Sequence, residues 1–513
     1  MERTSIDFKI VQADTVLAFQ GSQAAVVYIS KEELEHDAWI HPQLDVAIQR
    51  LKDNKLFKAE PHEVKVLPTL GLIPYDYLIL AGIGGHPYHE DAFRDGAVFA
   101  AKEAFKLQIE TLTVSLSPLP ESNGVQGAAT GASTALVMDH GILLRKIAEG
   151  ITLGSYRMRT YAMLKSEDVR LTQVNILAKQ LPAQEISARE LLIGNVYGEA
   201  TNVARDLTNM PGNLLTPQGM AEEAVRIASK HGMFCEVHDE VEIERLGMGG
   251  LAAVGKGSAN PPRMIVMKYQ GADEWTDVLG LVGKGITFDT GGISLKKGEG
   301  MEEMISDMGG AATLLGVMDA VGRLKPKVNL ITVIPAAENM PAGNAFKPGD
   351  VITSMSGRTI EVLNTDAEGR IVLADGMTYA RQLGAEKLID VATLTGAILI
   401  NFGDVATGAV TNDETFLHEL QAASKRAGEK VWPLPSYPEY WDMLKSDVAD
   451  IKNAQGRWAA AITAGLFIGT FAEGAPWIHL DTGGTAWLWS DKGTEPKGAT
   501  GSMVRTVLEL ILT

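Results

Sequence analysis

The chain has 513 residues, too many for one ordinary core, and at ~100–200 residues per domain it points to roughly two to four domains. Its 46 Lys and Arg against 64 Asp and Glu give a formal net charge of −18, which argues against nucleic acid as the main partner because an acidic surface repels a polyanion. One cysteine, Cys235, forms neither an internal disulfide nor a cysteine-based zinc site. The opening residues, MERTSIDFKIVQAD, lack the basic-then-apolar pattern of a secretory signal. The apolar stretch at 388–402 is too short and too interrupted to cross a bilayer. We expect a cytoplasmic protein with no membrane partner.

In chain order, strand-like runs at 23–29, 77–81 and 171–177 alternate with a helix-like run at 91–107. Residues 1–180 therefore read as a smaller N-terminal α/β domain. LAGIGGHPYHE follows the second of these strands. Pro87 occupies the third glycine position of G-x-G-x-x-G, so we read a strand-to-helix turn, with nucleotide binding as the weaker alternative. A polar stretch, KQLPAQEISA, leads into residues 187–208, where Leu191, Val196, Ala200 and Val203 recur at helical spacing. Residues 181–208 are expected to be a linking helix. Beyond it, MIVMKY, VLGLVG, VNLITVIP, KLIDVATL and WIHLD are short, nearly continuous apolar runs, as in strands buried on both faces. Helix-like segments at 311–324, 370–383 and 459–472 lie between them. The fold class is α/β: a mixed, mainly parallel sheet flanked by helices in 209–513, plus the smaller N-terminal α/β domain.

Three clusters carry polar residues suited to chemistry. In Asn364-Thr365-Asp366-Ala367-Glu368-Gly369-Arg370, an extended segment would aim Asp366 and Glu368 the same way, with Arg370 in the first turn of the next helix. On spacing alone, a metal or acid/base site and a capped polar turn with a surface ion pair both remain open. Lys284 follows VLGLVG, and Asp289 and Lys296 follow in a glycine-rich loop where α/β sheets collect ligands. The rival for Lys284 is a solvated strand-end lysine. A phosphate loop is excluded by the absence of G-x-x-x-x-G-K-[ST]. Asp307 precedes the 311–324 helix, and alone it reads as an N-cap. None of the ten histidines forms H-E-x-x-H, and His479 in WIHLD reads as a core or supporting residue. A metal site here must use oxygen ligands, helped by an amine.

Together these clusters resemble the leucyl aminopeptidase family of cytosolic two-zinc enzymes. NTDAEGR is that family's signature, GKGITFDTGGISLK and SDMGGAA match it, and the resemblance runs from NMPGNLLTP near Asn209 to HLDTGGTAW. It implies a metal-dependent aminopeptidase taking leucine-like N-terminal residues from peptides with a free N-terminus, with 209–513 as the catalytic domain. Lys284, Asp289, Asp307, Asp366 and Glu368 would bind two divalent ions, Zn or Mn, with Asp289 and Glu368 bridging them. Lys296 would polarise the scissile carbonyl, and Arg370 would hold a bicarbonate acting as general base. Met304, Thr393, Leu394 and Gly396 would lie around the substrate side chain and the carbonate. Lys284 can ligate only as a neutral amine, whereas Lys296 should stay charged, so the two lysines are expected in opposite states. A homohexamer is implied, with the N-terminal domain serving assembly or regulation. Trp458 and the Gly483–Gly484 pair depart from the family pattern and bear on substrate preference or subunit packing. The competing readings are a different metal hydrolase on the same scaffold and a non-enzymatic binding module.

Overall fold

The nearly continuous apolar runs of the sequence become strands covered on both faces, where no polar face is needed. A computed structural model of the protein describes residues 5–13, 15–36, 40–116, 139–162, 169–179 and 181–513, and divides the chain into units 1–199 and 200–513. In the first unit six strands run in the order Asp7–Gln12, Gln173–Ala178, Thr111–Ser115, Ala24–Ile29, Tyr77–Gly82, Val64–Pro68. All neighbours are parallel except the last pair. Side chains alternate between faces along each strand. Val26, Tyr28, Ile79 and Val114 enter one core, while Ala25, Val27, Leu78 and Leu80 enter another. Residues 83–89 turn from the strand Tyr77–Gly82 into the helix Glu90–Lys106. The helix Gln184–Thr208 spans the boundary between the units.

The second unit is built on a parallel centre of Trp477–Asp481, Lys387–Ala392, Leu279–Gly283 and Asn329–Asn339. Arg263–Gln270 and Phe234–His238 extend it antiparallel on one side, and Thr407–Thr411 pairs antiparallel on the other. Gly285–Asp289 adds in parallel to the end of Asn329–Asn339. The sheet is thus mixed and mainly parallel, flanked by helices. The helix Gly309–Leu324 is buried on all sides from Gly309 to Gly322, as its all-round apolar sequence requires. Met301–Leu324 is long and apolar enough to cross a bilayer, yet its apolar window is 89% buried inside the protein. The stretch 388–402 is divided between a strand and the short helix Gly396–Phe402.

The helix Gly369–Gln382 is buried from Gly369 to Ala380 and carries a fully buried carboxylate, Asp375. Asp375 accepts the backbone N–H groups of Leu251 and Met355, each at 2.8 Å, tying two neighbouring segments to this helix. Burial pushes its pKa up to about 7 against the pull of those donors. A carboxyl with a folded pKa above its unfolded value holds its proton more tightly when folded. Its stabilising contribution is full below about pH 4 and is lost as pH rises through about 7. Asp375→Asn turns a donor toward one of those N–H groups, so at pH 4 it should be less stable than the wild type by roughly 1–3 kcal/mol. Denaturant unfolding at stepped pH should show that gap narrowing toward pH 7; a gap that widens would contradict the account.

Candidate metal centre

Lys284, Asp289, Thr393 and Leu394 lie at the carboxyl ends of parallel strands or just beyond them, where open α/β sheets gather ligands. Lys284 is anchored on both sides: its N–H donates to Val391 O at 3.1 Å and its carbonyl accepts from Ala311 N at 3.0 Å. Asp307 lies in the 3-10 turn Met301–Met308. It makes no cap for the following helix, whose start has no side-chain hydrogen bond. Its carboxylate turns to Lys284 instead, so the N-cap reading of Asp307 is replaced by an ion pair. Met304 lies three residues earlier in the same turn, on the same side of it.

Asp366 and Glu368 do converge, but not along an extended segment. Residues 364–368 form a turn, and Glu368 has helical angles, φ −77° and ψ −36°. Local hydrogen bonds fix this turn. Asn364 Oδ1 accepts from Asp366 N at 2.9 Å, and Asn453 Nδ2 donates to Asn364 O at 2.7 Å. Thr365 Oγ1 donates to Gly291 O at 2.6 Å and accepts from Ser294 N at 2.8 Å. Gly369 is required by close approach: a Cβ there would fall 2.4 Å from Lys284 Cε.

The result is a carboxylate cage. Asp289, Asp366 and Glu368 offer ligand atoms all within 4.8 Å of one another. Lys284 Nζ lies 2.7 Å from Asp307 and 2.9 Å from Glu368, and donates to Thr393 O at 3.1 Å. Lys296 Nζ lies 2.8 Å from Asp289 and also pairs closely with Asp366. Asp289 Oδ1 is occupied by Gly291 N at 2.8 Å and Asn339 Nδ2 at 2.7 Å, which orients the other oxygen into the cage.

The crowding shows in the titration of these groups. Burial and Glu368 push Asp289 up to about 6, against both lysines. Burial likewise raises Asp307 well above the carboxylate range and raises Asp366. Burial alone would raise Glu368, but Lys284 and Lys296 bring it below its ordinary value. Burial alone would lower both lysines; the carboxylates around them outweigh it and raise both. The expected opposition between the two lysines is therefore not set by protein groups alone. A divalent cation among these carboxylates would oppose the charged form of Lys284.

These residues fit divalent cations. Four carboxylates against two ammonium groups leave a formal excess of two negative charges. Asp307 Oδ2, Asp366 Oδ1 and Glu368 Oε1 are buried and accept no hydrogen bond, although each lies within ion-pair distance of a lysine. Hard oxygen donors with lone pairs to spare suit divalent ions. Arg370, at the start of the helix Gly369–Gln382, is buried with its pKa lowered to about 10 by desolvation. It donates to Asn453 O at 2.7 Å, and its Nε has no partner.

Thr393 Oγ1 donates to Asp307 Oδ1 at 2.9 Å, which brings the loop holding Thr393 and Leu394 up to the cage. Gly396 opens the next short helix, with open space where a Cβ would stand. Sequence reasoning missed Asn339, Asn453 and Asp481. Asp481 alone carried a signal, as an acidic residue closing a buried strand. His479 is fully buried and pairs with Asp390 at 2.6 Å, a core histidine as read. Trp458 is 68% exposed, with the Arg457 guanidinium 4.6 Å from its ring centre.

Residues 202–508 match the cytosol aminopeptidase family, catalytic domain. A probable cytosol aminopeptidase of Alkaliphilus metalliredigens (strain QYMF) is 46% identical over 471 residues, 91% of each chain. Another, of Alkaliphilus oremlandii (strain OhILAs), is 42% identical over 475 residues, again 91% of each. Among solved structures, the bottromycin maturation enzyme BotP superposes with a TM-score of 0.81 at 32% identity, covering 96% of this chain and 99% of its own, and is also known in complex with Mn. A tomato leucine aminopeptidase variant gives a TM-score of 0.86 at 31% identity, covering 100% of this chain and 98% of its own. The chain belongs to the cytosol aminopeptidase family. It is a hydrolase, a metallo-aminopeptidase of the leucyl aminopeptidase class.

Gly369→Ala tests the cage. The clash falls on the flexible end of Lys284, so the side chain should shift while the backbone stays. The variant should melt near the wild type and bind Mn²⁺ or Zn²⁺ at least about tenfold more weakly by titration calorimetry, the loss of roughly one charge-assisted contact. Unchanged affinity would show that Lys284 is not part of the cation site.

Proposed function

We propose that this protein removes N-terminal, preferentially apolar and leucine-like residues from peptides, using two divalent ions, Zn or Mn, and a bicarbonate. The observation that carries this reading is the convergence of four carboxylates and two lysines at one place, where Asp307 Oδ2, Asp366 Oδ1 and Glu368 Oε1 are buried with a lysine as their neighbouring charge. Lys284, Asp289, Asp307, Asp366 and Glu368 would hold the ions, with Asp289 and Glu368 shared between them. Bound there, the ions would polarise the scissile carbonyl, lower the pKa of a bridging water and offer a position for the substrate's free α-amine.

The remaining roles belong to the chain's own groups. Lys296 is the more open lysine, 24% exposed at its side chain against 3% for Lys284, which supports Lys296 facing substrate and Lys284 facing metal. Its ammonium would stabilise the oxyanion developing on the carbonyl. Arg370, with Nε unpartnered beside a helix start, has the donors to hold bicarbonate as general base. Met304, Thr393, Leu394 and Gly396 would lie around the pocket for the departing residue's side chain and the bicarbonate.

We assign residues 1–180 to assembly or regulation, 181–208 to a linking helix and 209–513 to catalysis. Relatives named cytosol aminopeptidases support a cytoplasmic location. The proposed assembly is a homohexamer, and light scattering of the full chain at micromolar concentration should return six times the chain mass; a monomer would refute it.

The central test is release of leucine from a Leu-peptide after loading with Mn²⁺ or Zn²⁺, beside the N-acetylated peptide and a chelator. Turnover of the free peptide only, lost on chelation, is expected; turnover of the blocked peptide would point to a different hydrolase. In the same assay Glu368→Ala should lose both activity and metal. Lys296→Ala should lose kcat, by ~10²-fold or more, with metal retained.

A further inference from the structure

We propose that Asp481 is the positioning residue of the loop 393–396 and thereby sets selectivity for the side chain of the residue removed. This rests on the assignment of Thr393, Leu394 and Gly396 to the substrate pocket. Asp481 closes the strand Trp477–Asp481, directly beside Ala392, which closes the neighbouring strand. The loop therefore starts next to its carboxylate. Asp481 is 1% exposed. Its Oδ1 accepts from Leu394 N at 3.2 Å, Thr395 N at 3.3 Å and Gly483 N at 3.1 Å. Its Oδ2 accepts from Thr395 Oγ1 at 2.7 Å. That hydroxyl in turn accepts from Ile398 N at 3.1 Å and caps the helix Gly396–Phe402.

The other end of the loop is tied to the cage, since Thr393 accepts from Lys284 and donates to Asp307. The pocket loop is thus held between two buried carboxylates. Asp307 reports on the metal side, and Asp481 fixes the far side. Four donors converge on Asp481, and an ionised carboxylate is the side chain that only accepts. An amide of the same shape would turn its own donor toward one of them. Gly483 lets this happen closely: a Cβ there would fall 2.5 Å from Thr395 O.

The test compares the metal-loaded wild type with Asp481→Asn and Thr395→Val on otherwise identical Leu-, Ala- and Gly-peptides, with metal content measured in each. Asp481→Asn should reduce the ratio of kcat/KM for Leu over Gly by about tenfold, mainly through KM, with metal content unchanged. Thr395→Val removes one of the four donors and should shift the ratio the same way by less. It carries the test if Asp481→Asn does not fold. An unchanged Leu/Gly ratio, or an equal fall on every peptide in step with metal loss, would overturn the proposal. Absence of turnover in the wild type would instead overturn the function on which it rests.

Discussion

The cage of Asp289, Asp307, Asp366 and Glu368 is the constraint around which the second unit is organised. Concentrating four carboxylates where Asp289 and Glu368 are each only 2% exposed is costly unless positive charge enters with them, because desolvation of each ion costs several kcal/mol. Two lysines provide half of the compensation. Burial first, and the neighbouring carboxylates after it, keep Asp289 and Asp307 displaced upward despite the lysines. Cations that bind only the folded cage therefore stabilise the fold as well as enable the chemistry.

The sheet brings Lys284, the loop after Ala392 and Asp481 together because parallel strands finish at one edge, and Asp289 closes a further strand there. Leu279–Gly283 ends at Lys284, Lys387–Ala392 ends at the pocket loop, and Trp477–Asp481 ends at Asp481. All three ends are then joined by side chains: Lys284 reaches Thr393, and Asp481 reaches Leu394 and Thr395. The cage and the loop 393–396 are consequently parts of one hydrogen-bonded unit.

Much of this was legible in the sequence. Strands such as WIHLD and KLIDVA are buried on both faces, so their apolar character survives unbroken and marks them plainly. The carboxylates were legible as a set only through NTDAEGR and its companion motifs. Local geometry was read incorrectly at Asp366 and Glu368, because the pair converges through a turn held by Asn453, some 86–89 residues away in sequence. Asp307 looked like a cap because its partner, Lys284, lies 23 residues away, beyond any local pattern. Asn339 and Asn453 are single polar residues whose value depends wholly on what folds against them, and no periodicity announces them.

The two lysines show how one set of neighbours supports two roles. Burial favours the neutral amine at both, and the same carboxylates oppose it at both. Exposure distinguishes them. Lys284 packs against Gly369, where even a Cβ would force its side chain to shift, and it is only 3% exposed. Its ammonium is held by Asp307 and Glu368, with Asp289 nearby and the Thr393 carbonyl as a further acceptor, and those carboxylates are the groups that cations would engage. Lys296 retains partial access to solvent, so its charge survives engagement of its carboxylate partners. Twelve residues apart, the two lysines share neighbours and chemistry and differ in burial, and on that difference rest the ligand amine proposed for Lys284 and the oxyanion-stabilising ammonium proposed for Lys296.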